Sequence, residues 1–519
     1  MNKKTLSRIA TSVSIILFLT AVISWGYTRL SMQEKQTTTD LYTLIPSECD
    51  AILETKNINT LYNNIHHSCF NQEYNDLRVS KLLDFLINNL EELTNQQAHG
   101  LSPDMNQLLI SFHQPGSAYD QVIYGRMNES DKTFIEEFMQ RNTSPTFRPK
   151  TAEYKGEHIT IYPLGKEFLA CYFQPGFFAI SLQKSLIEKV IDAHKENRNI
   201  CTDERFNKLR KKNKRNEPLT LYLHTTEHPD IQWLEFDIRM NAEAVYLTGG
   251  QIANDTSLLF GSPMQRQMPL INDTELPGHI QLMYQLPFAQ DMDEDAFGDT
   301  PHLLESWLAE NDCQEIDAIL FTPQEQPDSA LQLLTIPLEN GYAEEMQNEL
   351  KRSRKALTGY WLHGTFYPIW SYEGGEKMPC YFITRPHVRD YCLTFYKDKM
   401  LVATTPEILL GYLKEMTSQS ADGQVHNRQL YQYCLNDLAE QSNFTMIADM
   451  NDLIGSGIDS LPVHPTRLLP EFFFKHKDFF RNFMFSTQFI YTNGQINTNL
   501  ILTYQGDSLL RKKVQGTLP

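Results

Sequence analysis

The chain repeats one order of elements, and that repeat constrains its fold more than any single motif. Tyr154-Lys155-Gly156-Glu157 opens a series of strand-like runs ending in an amphipathic helix. Tyr372-Glu373-Gly374-Gly375 stands as its counterpart, with the same order behind it. The first series has runs at 157–163, 167–173 and 177–181, and Pro175-Gly176 turns the last hairpin. The second has runs at 377–384, 390–396 and 400–404, with Lys397-Asp398 at the turn. The helix that follows repeats its apolar face: Leu186, Ile187 and Val190 match Leu409, Leu410 and Leu413 at a constant offset of 223. That is a domain-length shift, well beyond the roughly 20–50-residue period of a solenoid.

The same order extends to both sides. Ile45-Pro46 precedes a strand-like run at 50–55, and Leu276-Pro277 precedes one at 279–285. Helical patterns follow: Val79, Leu82, Leu83, Leu86, Leu90 and Leu93 in one, and Leu303, Leu304, Trp307 and Leu308 behind a Thr300 cap and Pro301 in the other. Strand pairs at 107–113 with 121–127 and 316–322 with 330–337 each lead into a helix, 131–141 and 342–353. Later come helices at 202–212 and 427–438, then strands at 219–224 and 444–449. The closing hairpins are 243–252 with 257–262, turned by Asn254-Asp255, and 484–492 with 495–504, turned by Asn493-Gly494. Short connections without strand–helix–strand alternation predict antiparallel pairing. The expected fold class is α+β: two duplicated modules, 41–266 and 267–510, each a curved antiparallel sheet with helices on one face. Side-by-side sheets would bury each other's edges.

In front of the modules, Lys3, Lys4 and Arg8 precede an uncharged stretch at 9–28 that ends at Arg29. About 20 residues of helix cover about 30 Å, enough to cross a bilayer core. Trp25 and Tyr27 sit where an interfacial aromatic belt would. The expectation is a cytoplasmic stub at 1–8, a single-pass transmembrane signal-anchor at 9–28, a tether at 29–40 and a tail at 511–519. The leading positive charge then puts the bulk of the chain in the periplasm. A cleaved signal peptide is the rival, with Ser24-Trp25-Gly26 as a poor cleavage site. The net charge of -18 argues against nucleic acid or an anionic bilayer as the main partner. Eight cysteines permit disulfides outside the cytoplasm, yet their positions do not match between the halves. Mostly buried, inert thiols are expected, with room for one or two later bridges.

Four stretches carry residue types that chemistry uses, and each lies in one half only. His224-Thr225-Thr226-Glu227-His228 matches the His-x-x-Glu-His of inverted zinc peptidases, where helical histidines hold zinc and the glutamate activates water. Here the run up to His224 reads as a strand, and Pro229-Asp230 follows as a turn or helix start. The matching segment Ala448-Asp449-Met450-Asn451-Asp452 has no histidine, so a polar strand end is expected. Asp291-Met292-Asp293-Glu294-Asp295 could wrap calcium, but a hand-type loop wants glycine and glutamate where Ala296 and His302 stand. Arg205, Lys208, Arg210, Lys211, Lys212, Lys214 and Arg215 could meet anionic glycan or lipid, or form a solvated helix end. Phe472, Phe473, Phe474, Phe479, Phe480, Phe483 and Phe485 could line an apolar groove, or fill core and seam. No nucleophile elbow, Walker loop, dinucleotide fingerprint or Cys-x-x-Cys occurs.

The N-terminal anchor, the proline-initiated strand, the Tyr-x-Gly-Glu meander, the strand running into the Leu-Ile helix at 181–187 and the final hairpin form a recognisable layout. Together they resemble a domain-of-unknown-function family of membrane-anchored envelope proteins typical of Bacteroidota, over most of 41–510. The resemblance implies a membrane-tethered extracytoplasmic protein and transfers no catalytic residue. The expected function is therefore a non-enzymatic periplasmic binding or scaffolding role. A hydrolase with a dispersed site and a carrier of lipid or another apolar ligand are the alternatives. No catalytic, cofactor-binding or metal residue is assigned, and no cofactor is expected. The expected partners are the inner membrane, through 9–28, and an envelope protein, glycan or apolar ligand.

Overall fold

Strand β1 (Ala51–Thr55) pairs antiparallel with two strands distant in sequence, β2 (Leu108–Phe112) and β8 (Leu219–His228). It thereby joins local hairpins into a larger sheet. The computed structural model describes residues 39–505 apart from 70–80, 83–84, 86–106, 115–116, 144–147, 213–216, 229–230, 253–265, 272–275, 278, 289–302, 312, 324–329, 340, 384–385, 418–424, 456–476 and 493–494. The first half adds β3 (Gln121–Met127), β4 (Lys150–Tyr154), β5 (Glu157–Leu164), β6 (Glu167–Gln174), β7 (Gly176–Ser181), β9 (Ile231–Met240) and β10 (Ala244–Ile252). The second has β11 (Ile280–Pro287), β12 (Glu315–Phe321), β13 (Leu331–Pro337), β14 (Thr358–Leu362) and β15 (Thr365–Glu373). It continues with β16 (Asp390–Tyr396), β17 (Lys399–Ala403), β18 (Phe444–Asp449), β19 (Phe483–Thr492) and β20 (Gln495–Tyr504).

These strands make one antiparallel sheet of 20. From one end it runs β4-β5-β6-β7-β3-β2-β1-β8-β9-β10. It continues as β20-β19-β18-β11-β12-β13-β17-β16-β15-β14. The join is β10 against β20, in register from Ala244 opposite Thr503 to Ile252 opposite Gln495. The molecule is thus α+β, with a large antiparallel sheet.

Helices cover both faces of the sheet, where the sequence reading expects one. The reason lies in the strands. Adjacent residues of β2, Leu108 and Leu109, enter different cores, and so do Ala318 and Ile319 of β12, which is buried at every position. Strands apolar on both sides need cover on both sides. On one face lie α3 (Lys184–Glu196), α4 (Glu204–Lys212), α7 (Pro406–Thr417) and α8 (Val425–Asn436). On the other lie α1 (Ile58–His66), α2 (Glu129–Asn142), α5 (Leu304–Glu310), α6 (Tyr342–Ser353), α9 (Met450–Gly455) and α10 (Lys477–Phe480). Helix α2 starts where Asn128 and Asp131 form a reciprocal capping box, which satisfies two otherwise orphaned amides.

Several expected boundaries move. The tight turn Lys155-Gly156 is matched in conformation not at 372–375 but at His363-Gly364. Both pairs have positive φ (48° and 79°, 46° and 85°), as a two-residue turn of that hand requires. Tyr372 lies inside β15, and the expected strand at 377–384 contains a 3-10 turn, Met378–Tyr381. The hairpins turned at Pro175-Gly176 and Lys397-Asp398 form as expected. Helix α7 buries Ile408, Leu409, Tyr412 and Leu413, one residue earlier than the match to α3 implies, and Leu410 is half-buried. The first closing hairpin is β9–β10, not 243–252 with 257–262. Its connection is held by Asn241 Oδ1, which accepts from the amides of Glu243 (2.8 Å) and Ala244 (2.6 Å). Among the described residues no helix is long and apolar enough to cross a membrane. The segment 9–28, residues 257–262, most of 79–93, Thr300-Pro301, the turns Asn254-Asp255 and Asn493-Gly494, and 511–519 lie outside the described residues.

Candidate functional site

Among the described residues the four sequence candidates do not assemble into a site. His224 and His228 both lie in β8, whose pairing with β9 shifts between them. Four residues of β8 there stand against two of β9, so the helical spacing that puts two such histidines on one face of a zinc site is absent. The His224 ring instead packs on Trp233, with centroids 4.9 Å apart. Among the described residues no group of three His, Cys, Asp or Glu could hold a metal. The acidic run at 291–295 lies outside the described residues. In α4, Phe206 and Leu209 are buried while Arg205, Lys208 and Lys211 are exposed, the pattern of a solvated amphipathic helix. Arg210 of that run is drawn inward. It grips Asp40 through two nitrogens (2.8 and 3.0 Å) and stacks over Tyr42 at 3.9 Å. Phe479, Phe480, Phe483 and Phe485 are buried in the core beside Leu502 and Tyr504. Phe472, Phe473 and Phe474 lie outside the described residues. All eight cysteines are free thiols. Burial pushes Cys49 and Cys434 up to about 12 and Cys392 up to about 11, which leaves these three inert as nucleophiles.

The sheet register brings together residues that no motif connects. Glu54, Thr220, Asp237, Thr248, Asn499, Gln488, Thr445, Gln285, Asp317 and Thr335 stand opposite one another in turn across ten adjacent strands, from β1 to β13. They form one polar row on the α3–α4–α7–α8 face. Its flanks are buried and hydrogen-bonded, as buried polar groups must be. Glu54 accepts from the Tyr42 hydroxyl (2.9 Å) and the Gln107 amide (2.7 Å). Thr220 donates to Asp237 (3.3 Å). Gln488 donates to Thr445 (3.2 Å) and to the Ala439 carbonyl (3.0 Å). Asp317 accepts from Gln285 (2.8 Å) and Thr335 (3.0 Å), with Lys399 Nζ at 3.5 Å.

In the middle the row reaches the surface. Thr248 is exposed and Asn499 half-buried; one step along, Gly250 faces Asn497, and both are half-buried. Helix α4 packs on β9 to one side and α8 on β19 to the other. Tyr246 of β10 donates to Asp437 (3.0 Å), and Tyr433 of α8 donates to Glu243 (3.3 Å), which ties the second half's helix to the first half's last strand. The floor offers a hydroxyl and two carboxamides, groups that both donate and accept. They can hold a polar ligand.

A nucleophile–base pair does exist elsewhere. Ser111 Oγ lies 2.8 Å from His113 Nε2, and His113 Nδ1 lies 2.9 Å from the Glu48 carbonyl. Burial holds the His113 imidazolium below its usual range, against the pull of that carbonyl. Those are the distances of a hydrolytic dyad. Yet Ser111 is 0% exposed and shares its hydroxyl with Tyr124 at 3.0 Å. No substrate carbon reaches it, and the pair serves to tie β2 to the segment before β1.

No family model matches the chain, and no curated protein matches it. Solved structures of TP0453 are similar to it. Crystal form III covers 43% of this chain and 83% of that one at 10% identity and a TM-score of 0.26. Form IV covers 40% and 78% at 10% identity and 0.25, and form I covers 74% and 100% at 11% identity and 0.22.

Proposed function

We propose that this chain is a non-enzymatic, membrane-tethered extracytoplasmic protein of the envelope family it resembles, with a binding or scaffolding role. Its surface for that role is the seam between β10 and β20. In this reading the chain is a duplicated pair of modules, 41–266 and 267–510, behind a transmembrane segment at 9–28. The duplication is supported by strand order: read inward from the two ends, each strand of the second half stands ten places after its counterpart in the first. It is also supported within the row, where Glu54 and Gln285, Thr220 and Thr445, Asp237 and Gln488, and Thr248 and Asn499 fall at equivalent places.

One observation carries the functional reading. The polar row is submerged on both flanks and surfaces at the seam, where Thr248 and Asn499 meet. Polar side chains that surface there can exchange water for the donors and acceptors of a ligand. Photo-cross-linking from position 248 or 499 in living cells tests this. The expected outcome is one dominant adduct, lost when the neighbouring residue is changed by Thr248→Lys or Asn499→Lys while the thermal midpoint stays put. Turnover of ester, peptide or glycan substrates by the purified chain would overturn the non-enzymatic reading.

A further inference from the structure

The far end of the sheet carries a face that does not fit an ordinary edge. Strand β14 is the last strand, paired only with β15 among the described residues. An antiparallel hairpin at an edge normally turns apolar residues to the core and polar ones to water. The inner residues here obey: Tyr360, Leu362 and Tyr367 pack against the core beneath α7. The outer ones do not. Leu357 is 60% exposed, Trp361 73% and Phe366 46%. Trp361 and Phe366 are paired across the hairpin with ring centroids 5.3 Å apart. The Phe366 ring lies against Gly359, where a Cβ would come within 2.4 Å of it. The sheet's other outer strand, β4, carries exposed Lys150 and Glu153, the charges that keep an edge from sticking. Strand β14 has none.

Charge is absent from this hairpin and concentrated just before it in sequence, where exposed Glu349 precedes a run of cations. From Ala356 to Tyr372 no residue is Asp, Glu, Lys or Arg, in a chain with 21% charged residues. Immediately before that stretch stand Lys351, Arg352, Arg354 and Lys355, of which Lys351, Arg352 and Lys355 are exposed. Arg354 is turned back onto the Tyr372 ring at 4.0 Å. Exposed tryptophan and phenylalanine beside a cluster of cations is what the interface of an anionic bilayer recognises. The net charge of -18 does not forbid this. Screening limits each charge to about 8 Å at physiological salt, so a docked face responds to its own cations.

We propose that the β14–β15 hairpin docks on an anionic lipid surface. Leu357, Trp361 and Phe366 enter the boundary between headgroups and acyl chains, and Lys351, Arg352 and Lys355 meet the headgroups. This site is separate from the seam and does not depend on it. The outward Leu357, Trp361 and Phe366 favour lipid over an acidic peptide added to the β14 edge, which backbone hydrogen bonds would hold along the edge while this apolar face stayed in water.

The test uses the full chain with vesicles of phosphatidylcholine, alone or mixed with phosphatidylglycerol, each containing lipid brominated at mid-chain. The Trp361 signal is the difference between the unmodified chain and Trp361→Phe. Quenching of that signal is expected with the anionic mixture and not with phosphatidylcholine alone. Reversing Lys351, Arg352 and Lys355 to Glu together should weaken docking on the order of a hundredfold. Leu357→Ser with Phe366→Ser should abolish quenching without moving the thermal midpoint. An unquenched Trp361 in the anionic vesicles overturns the proposal. So does shielding of Trp361 without lipid, whether in a dimer joined through β14 or by an added acidic peptide. Failure of the 9–28 anchor would appear separately, as chain that does not sediment with phosphatidylcholine vesicles.

Discussion

Glu315 begins β12 two residues before Asp317, buried beside it. Burial first, and then the Asp317 charge, push its carboxyl up to about 7, against the pull of Lys399 and Arg266. A carboxyl whose folded value lies above its ordinary one favours the folded state at low pH. That contribution is complete below about pH 4.5 and is lost as pH rises through about 7. Glu315→Gln should therefore raise stability at pH 8 by on the order of 2–3 kcal/mol and change little at pH 4.5. Urea midpoints across that range check the sign. Asp449, raised to about 6 by burial and by Asp452, acts in the same direction. Half-buried His113 acts oppositely, withdrawing stability as pH falls below its ordinary value. None of this could be read from the sequence. The row that holds Asp317 takes one residue from each of ten strands, and each alone looks like the outward position of an alternating strand. Only register makes them neighbours.

Elements were more legible than residues, and their errors share a cause. Helices α3, α6 and α7 fall close to the apolar periods that mark them, because a 3.6-residue period over three turns tolerates a slip of one. Turns tolerate none. Tyr372 and Glu373 of the second tyrosine-glycine pattern are the last residues of β15, whereas the conformational match to Lys155-Gly156 is His363-Gly364, which shares only the glycine. Strand β9 is not expected from the sequence because Pro229-Asp230 before it reads as a stop, yet Ile231 re-enters the sheet opposite His228. His363 holds φ 46° without being glycine or asparagine, a conformation that most side chains resist. His363→Asn should accordingly stabilise the hairpin by about 0.5 kcal/mol, through a turn residue suited to that hand. A small rise in thermal midpoint, absent when Asn replaces a surface histidine elsewhere such as His158, would register it.

The two halves of the molecule share a backbone ladder, so their stability should be shared. Leu247 sits mid-seam, opposite Ile238 on one side and Leu500 on the other. Proline there removes a ladder hydrogen bond and crowds the neighbouring strand. Leu247→Pro should split a single calorimetric unfolding transition into two, one for each half. A single transition at an unchanged temperature would mean that the seam contributes no coupling. The seam also has a consequence in time. Its second strand, β20, is the last strand of the sheet, made roughly 240 residues after β10. At a synthesis rate of about 5–20 residues per second, β10 waits on the order of 10–50 seconds with one edge open. Through that interval the nascent first half presents a bare template to every other chain nearby. Its yield in the cell should then depend on how fast the ribosome finishes, or on a chaperone that shields β10 until its partner arrives.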